Sequence, residues 1–259
     1  MQPLLGCYVL HDSCYMADSI SPSKSLQTRY RDPLDKLKMM CCNLISQRPK
    51  GGRMGLSTLS INEYLEKNLR PKRLDHCKRV LKLMVDVQPT YGLDLKQAGL
   101  SALLHDIAKH FPETTLVSQL AQKDIKTLLW LPENCRCSIY LHGPVGSILV
   151  QELWPDIDDP AILDAICQHT WSFMERPTLS RCLAVADIIE RIDKSDSDGD
   201  LRKYFMEGDL DRAELLMIAF GLEHYKAKGF PIHPNTWIRR QELKTKLGLN
   251  SSHLTRDPH

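Results

Sequence analysis

The chain has 259 residues, of which 42% are hydrophobic and 25% are charged, a composition typical of a globular protein with one or two domains. Its formal net charge of +2 gives no support for a nucleic-acid-binding protein, although a small anionic substrate needs only a local basic pocket. No apolar run approaches the roughly 20 residues of a membrane-spanning helix. We therefore expect neither nucleic acid nor a membrane as partner.

The chain contains nine cysteines, an odd number. Cys77, Cys167 and Cys182 fall in helical segments that also carry candidate metal ligands, which favours free thiols in a reducing compartment, and we expect a cytoplasmic protein. One residue lies between Cys135 and Cys137, whereas two to four residues usually lie between the paired cysteines of zinc sites. The spacing therefore disfavours a zinc pair.

Residues 1–53 differ from the rest of the chain because they lack helical periodicity and are basic from residue 24 onward. Lys-Gly-Gly at residues 50–52, just before Met54, can be encoded by a purine run that resembles a bacterial ribosome-binding site. One interpretation is that translation starts at Met54 and that residues 1–53 are not native. The other is a genuine disordered tail. In both, residues 54–259 form the functional domain.

Helix boundary signals recur from Met54 onward. Ser60 and Glu63 have the spacing of a capping box at a helix start. Further boundaries are expected at Pro71, at Pro89 and Gly92, at Asp159-Pro160 and at Pro177-Thr178. No long segment has the period-two alternation of a strand. The pattern predicts an all-α fold.

The pair His105-Asp106 stands within an otherwise apolar helical run, residues 98–108. Aspartate is a poor helix former, and a buried charge is unfavourable unless it is compensated. A divalent cation would compensate the carboxylate and use the imidazole lone pair. The alternative is a core histidine beside a capping aspartate.

Four more polar residues favour the metal interpretation. Each stands on an otherwise mostly apolar face of its own helical segment: His76, His142, His169 and Asp187. A single inward histidine is usually a hydrogen-bonded core residue. Inward histidines and aspartates on five successive helical segments indicate convergence on a metal.

An acidic segment at residues 193–200 has the appearance of a calcium loop. If Gly199 took the sixth position, Lys194 and Phe205 would take the first and twelfth, and neither supplies a carboxylate. We expect a solvated linker instead. Two final helices, at residues 209–228 and 234–247, are expected to pack across the open side of the ligand-bearing bundle.

The order His, His-Asp, His, His, Asp over residues 76–187 resembles the signature of the HD superfamily of metal-dependent phosphohydrolases. Over residues 59–247 the chain is similar, more specifically, to the YqeK family. The motifs behind this second resemblance are Arg73-x-x-His76, His105-Asp106-Ile-Ala-Lys109, Leu141-His142-Gly143, Ala165-Ile166-x-x-His169-Thr170, Ala186-Asp187-x-Ile189-Glu190 and the tail at residues 228–236.

YqeK proteins are symmetrical bis(5'-nucleosyl)-tetraphosphatases, which split diadenosine tetraphosphate into two ADP. The resemblance implies an HD-domain helical bundle with a buried metal held by His76, His105, Asp106 and Asp187. Two imidazoles and two carboxylates suit iron, manganese or nickel and are compatible with zinc. The resemblance favours iron.

The resemblance also implies substrate contacts. Asp106 and Lys109 are the predicted catalytic residues. The sequence does not distinguish a role of Asp106 as a general base from its role as a metal ligand. The predicted phosphate or nucleotide contacts are Arg73, His76, Lys109, His142, His169 and Thr170. His142, His169 and Thr170 have an alternative role in holding a second ion. A weaker correspondence assigns Ile232, His233 and Pro234 to the base or ribose.

The chain departs from the family pattern at Asp193, where an arginine is common, while Arg191 stands two residues earlier. Either Arg191 substitutes from a shifted helix end, or one phosphate contact is missing. Activity would then be weaker or the preferred polyphosphate altered.

Two other functions stay open. One is a different HD nucleotidase or cyclic-nucleotide phosphodiesterase; an enzyme of the HD-GYP type is disfavoured because Lys109-His110-Phe111-Pro112 follows the pair. The other is a non-catalytic nucleotide sensor, which the complete ligand set disfavours. The expected partner is a small dinucleoside polyphosphate, with a homodimer left open.

Overall fold

The computed structural model describes residues 60–172, 175–192 and 198–249. The predicted boundary at Met54 lies outside these residues, as does Asp193. The described part contains eleven α-helices: α1 Ile61–Asn68, α2 Pro71–Tyr91, α3 Leu95–Leu104, α4 Glu113–Lys123, α5 Ile125–Trp130, α6 Ser138–Leu153, α7 Pro160–Gln168, α8 Thr178–Ile189, α9 Asp198–Glu207, α10 Leu210–Lys228 and α11 Asn235–Lys246. A short 3-10 turn, Glu133–Cys135, precedes α6. No strand occurs in the described ranges, so the all-α prediction is confirmed.

Several helix starts follow the predicted local chemistry. The Ser60 hydroxyl accepts from the Glu63 amide at 3.3 Å, and the Glu63 carboxylate accepts from the Ser60 amide at 2.8 Å, which completes the capping box. Asp159 caps α7 by accepting from the Ala161 amide at 2.9 Å, with Pro160 in the first turn. These caps satisfy amides that have no partner within the helix.

Other boundaries differ from expectation. Pro89 does not end α2, which continues through its last turn to Tyr91 and stops at Gly92, a left-handed residue with φ 61°. A left-handed C-cap is favourable mainly for glycine, so Gly92 rather than the proline ends this helix. The expected linker at residues 193–200 overlaps α9, which spans Asp198–Glu207, and residues 193–197 lie outside the described residues.

The helices that carry candidate ligands pack directly on one another. α2, α3 and α8 are mutual neighbours, α7 packs on α3 and α8, and α6 packs on α7. They are not successive, since α4 and α5 intervene. α10 packs on α8 and α11 packs on α10, as expected of the two final helices.

Most buried apolar side chains form one core that joins α2, α3, α7 and α8 and extends to α10. A smaller cluster lies under α4 and α5 and includes Leu116, Leu120, Tyr140 and Trp171. All cysteines in the described ranges are free, as expected. None of the described helices combines the length and hydropathy that a membrane-spanning helix requires.

Candidate active site

Four polar side chains from three helical elements meet in the interior. One ligand atom from each of His76, His105, Asp106 and Asp187 lies within 4.8 Å of the others, and all four residues are buried. His76 Nε2 is 2.8 Å from Asp187 Oδ1, and His105 Nε2 is 3.5 Å from a carboxylate oxygen of each aspartate. The structure therefore brings the four predicted metal ligands together, and we call them the tetrad.

The His105-Asp106 pair lies at the end of α3 and not within a helix. His105 is the C-cap, and the chain continues through turns in which the Lys109 amide donates to the Asp106 carbonyl at 2.9 Å. The expectation of a continuous helix through the pair is wrong, and the low helix propensity of aspartate is consistent with the helix ending there. The carboxyl end of a helix carries partial negative charge, which favours a cation beside the pair.

Three histidines of the site share one orientation. In each, Nδ1 lies close to a backbone carbonyl three or four residues earlier; the pairs are His105–Ala102 at 2.7 Å, His142–Ser138 at 2.6 Å and His169–Ile166 at 2.8 Å. A carbonyl can only accept, so we assign the proton to each Nδ1. In the neutral form of each ring, Nε2 then presents a lone pair to the centre of the site.

Two atoms of the tetrad have no hydrogen-bond partner among the described residues: His105 Nε2 and Asp106 Oδ1. A buried lone pair without a partner is unfavourable. His105 Nε2 faces the tetrad, where a metal ion would satisfy it, whereas Asp106 Oδ1 faces His142 and His169. Two imidazoles and two carboxylates without a thiolate are a donor set for a first-row transition metal. The tetrad therefore fits the metal site that the sequence predicts.

A second buried group shares Asp106. His142 Nε2 lies 3.2 Å from Asp106 Oδ1 and 3.1 Å from His169 Nε2, and these three residues can also hold an ion. However, Lys109 Nζ is 3.2 Å from His142 Nε2. The same ammonium is 3.2 Å from His142 Nδ1, and its positive charge beside the ring disfavours a second cation.

Burial and neighbouring charge set the protonation of these groups. Burial lowers the pKa of Lys109 to about 8, so its ammonium is retained at neutral pH. Burial and the nearby Lys109 lower the pKa of His142 to about 3, which keeps this imidazole neutral. Burial alone would lower the pKa of His105, but Asp106 and Asp187 raise it to about 9. The two carboxylates thus favour positive charge at the centre of the tetrad.

Two arginines pair with the carboxylates of the tetrad. Arg73 Nη1 is 2.6 Å from Asp106 Oδ2, and Arg191 contacts Asp187 through Nε at 2.8 Å and Nη2 at 2.7 Å. Burial alone would raise the pKa of both aspartates, yet His105 holds the pKa of Asp106 well below the usual range, and Arg191 with His105 does the same for Asp187. The position of Arg191 agrees with the interpretation in which it substitutes for the arginine that Asp193 replaces.

His142 and His169 meet because α6 and α7 approach closely. A Cβ on Gly143 would lie 2.5 Å from the carbonyl oxygen of Cys167, so only glycine fits there. The following residue, Pro144, has no amide hydrogen and cannot donate to the Tyr140 carbonyl. That carbonyl instead accepts from the indole of Trp171 at 3.0 Å, which ties the end of α7 to α6.

A cavity of about 640 Å³ opens beside the tetrad, a volume in the range of small-ligand sites. One part of its lining is polar and consists of Lys109, His142, His169, Thr170, Asp187 and Arg191. The Thr170 hydroxyl is buried without a partner among the described residues. The other part is mostly apolar and is built by α8 and α10.

Comparisons with known proteins agree with this architecture. An HD domain family model matches residues 73–192. The solved structure of a "predicted HD superfamily hydrolase involved in NAD metabolism" from Clostridium acetobutylicum is 30% identical, with a TM-score of 0.64, covering 72% of this chain and 96% of that one. This chain belongs to the HD superfamily of hydrolases.

Two curated relatives of this HD hydrolase have the same name, symmetrical bis(5'-nucleosyl)-tetraphosphatase. The protein from Bacillus subtilis is 29% identical over 174 residues, which are 67% of this chain and 90% of the relative. The protein from Halalkalibacterium halodurans is 28% identical over 185 residues, which are 70% of this chain and 94% of the relative. The activity in the name of both relatives is the one that the resemblance to the YqeK family implies.

The predicted base or ribose contacts are not brought to the cavity of this HD hydrolase. Ile232, His233 and Pro234 do not line it; the His233 ring stacks on Trp130 with centroids 5.4 Å apart, and its amide donates to the Tyr140 hydroxyl at 3.3 Å. Their neighbours Phe230 and Thr236 line the cavity instead.

The sequence predicts that α10 packs across the open side of the bundle, but it did not identify the residues of this helix that line the cavity, which lie beyond the part that the HD family model matches. Met217, Gly221 and Tyr225 are four residues apart on one helix face and all line the cavity. Burial raises the pKa of Tyr225 to about 12, so its phenol stays protonated and can donate to a ligand. The spacing of these three residues is visible in the sequence, but whether they contact the site depends on how α10 packs on α8.

Proposed function

We propose that this HD hydrolase cleaves dinucleoside tetraphosphates symmetrically, so that diadenosine tetraphosphate and water yield two ADP. The names of the two curated relatives support this substrate. The observation that carries the proposal is the juxtaposition of the buried tetrad with a cavity whose polar end combines Lys109, Thr170 and Arg191. These residues offer charge and hydrogen-bond donors to a polyphosphate beside the metal ligands.

We assign the metal ion to His76, His105, Asp106 and Asp187, with iron proposed and manganese, nickel or zinc as alternatives. When bound there, such an ion polarises a phosphoryl group and makes a water molecule more acidic. The unpartnered Nε2 of His105 supports this assignment. This nitrogen would gain a partner that no described residue supplies.

In the proposed reaction, Asp106 and Lys109 act on the phosphoryl group. Asp106 Oδ2 pairs with Arg73, which leaves Oδ1 to accept a proton from the attacking water. The water oxygen bonds to one of the two central phosphorus atoms, the central P–O–P bond breaks, and the bridging oxygen leaves with the other ADP. Lys109 stabilises the negative charge that develops on the phosphate oxygens.

The expected cleavage position follows from the two parts of the cavity. If one nucleoside occupies the apolar part, its two phosphates extend toward Lys109 and Arg191, which line the polar part. The second phosphorus from that nucleoside then faces the tetrad. Attack at this phosphorus separates two phosphates from two and gives identical products.

The proposal is tested with the full chain loaded separately with iron, manganese, nickel or zinc, incubated with diadenosine tetraphosphate and analysed by chromatography. We expect ADP as the sole product and as a competitive inhibitor. AMP together with ATP would overturn the cleavage position. If the protein binds ADP but does not hydrolyse diadenosine tetraphosphate with any of the four metals, the result would favour a nucleotide sensor.

A further inference from the structure

Gly221 occupies the interior of α10, where glycine is one of the least favourable residues for a helix. Its backbone does not require glycine, because φ is not in the left-handed region. Packing does not require it either, since an added Cβ would have no atom within 4 Å. Gly143 differs from Gly221, because a Cβ at position 143 would clash with the backbone of Cys167.

The space beside Gly221 is the cavity that adjoins the tetrad. Gly221 lines this cavity between Met217, one turn before it, and Tyr225, one turn after it. Ile188 of α8 and Ile192, just after that helix, line the same cavity. A side chain at position 221 would therefore project into a space bounded by apolar and aromatic groups.

We propose that this face of α10, centred on Gly221, is the subsite for the nucleoside of the bound nucleotide. The base or ribose packs on the bare backbone of Gly221, between Met217 and the ring of Tyr225. A flat base suits a wall of apolar and aromatic side chains, which removes it from water and allows ring contacts. This inference rests on the proposed function, since it assigns the phosphates to the polar end.

The test adds side-chain volume at this position in Gly221→Ala and Gly221→Leu. Both replace an interior helical glycine where there is room for the new atoms, so the melting temperature of the ligand-free protein should rise or stay unchanged. The affinity for ADP should fall, by roughly tenfold or more for the leucine variant. Affinity for pyrophosphate, which has no nucleoside, should not change.

Ala227→Leu is the matched control, because Ala227 is an exposed residue of the same helix and does not line the cavity. It should bind both probes as the wild type does. Calorimetric titration of the metal-loaded proteins with ADP and with pyrophosphate measures all the affinities. A selective loss of ADP binding in Gly221→Leu supports the subsite.

Wild-type ADP affinity in Gly221→Leu would overturn the inference, and so would equal losses for ADP and pyrophosphate. Hydrolysis of diadenosine tetraphosphate by the wild type is measured separately. If the wild type does not hydrolyse it but the variants still distinguish ADP from pyrophosphate, the proposed function fails and the nucleoside subsite stands.

Discussion

His76 Nε2 lies 2.8 Å from Asp187 Oδ1, although 111 positions separate the two residues in the chain. The contact exists because α2 and α8 pack on each other and on α3, which ends at His105. Two imidazoles and two carboxylates are thereby concentrated in a buried volume. A cluster of this kind is unfavourable unless its charges and lone pairs are compensated.

The first prediction concerns the metal ion that would compensate the charges and lone pairs of the tetrad. His105→Ala and Asp106→Ala should each lose the metal ion and the hydrolase activity, because each removes one of the four ligands of the tetrad. Metal content is measured by atomic emission, and circular dichroism shows whether the fold is retained. His110→Ala is the control, since His110 is exposed and lies outside the tetrad. Full metal occupancy in a folded Asp106→Ala protein would contradict the assignment.

The second prediction concerns metal stoichiometry. We expect one ion per chain, since Lys109 Nζ lies 3.2 Å from His142 Nε2 and its charge opposes a second cation beside Asp106 and His169. His142→Ala and His169→Ala should therefore keep the wild-type metal content. A wild-type content of two ions that falls to one in both variants would support the alternative role of these histidines.

Some residues of this site can be identified from the sequence alone, whereas the roles of others depend on how the helices end and pack. His76 and Asp187 interrupt apolar faces, a local pattern that identifies them without a structure. The end of α3 at His105 and the extra helices α4, α5 and α9 were not predicted, because helix ends and short helices depend on local turns that periodicity describes poorly. Gly221 shows no local sign of its role, which depends on how α10 packs on α8.

The third prediction concerns Lys109. Lys109→Met keeps much of the apolar stem but removes the ammonium, so the barrier should rise by roughly 3–4 kcal/mol, the range for losing one hydrogen-bond donor to a transition state. The metal content should not change, because Lys109 is not in the tetrad. Single-turnover rates with diadenosine tetraphosphate give the change in barrier. Loss of metal together with activity would instead indicate a structural role.

The fourth prediction compares two glycines. Gly143→Ala should destabilise the protein by roughly 1–3 kcal/mol, because its Cβ would lie 2.5 Å from the Cys167 carbonyl oxygen and push α6 away from α7. Gly221→Ala introduces the same methyl group into open space and is the matched control. Urea unfolding of both variants measures the difference. Equal stability of the two variants would show that the α6–α7 approach is less constrained than the contact indicates.

The last prediction concerns a buried ionic cluster away from the tetrad. The Glu214 carboxylate of α10 is fully buried and accepts from Arg181 Nε at 2.7 Å, Arg239 Nη2 at 2.9 Å and Arg176 Nη2 at 3.3 Å. These contacts join α10 to α8, to α11 and to the segment before α8. Burial alone would raise the pKa of Glu214, but Arg176 and the other arginines lower it overall.

A folded-state pKa below the ordinary glutamate value of about 4.3 means that ionised Glu214 stabilises the fold above this pH. The contribution is lost as the pH falls through the lowered folded-state value. Glu214→Gln leaves buried arginines uncompensated and should cost roughly 3–5 kcal/mol at neutral pH. Its free energy of unfolding should also fall less steeply than that of the wild type below about pH 4.3. Urea unfolding from pH 7 to pH 3 measures both effects, with Glu223→Gln, an exposed glutamate on the same helix, as the control. Parallel pH profiles for Glu214→Gln and the wild type would show that this carboxylate does not contribute to the acid sensitivity of the fold.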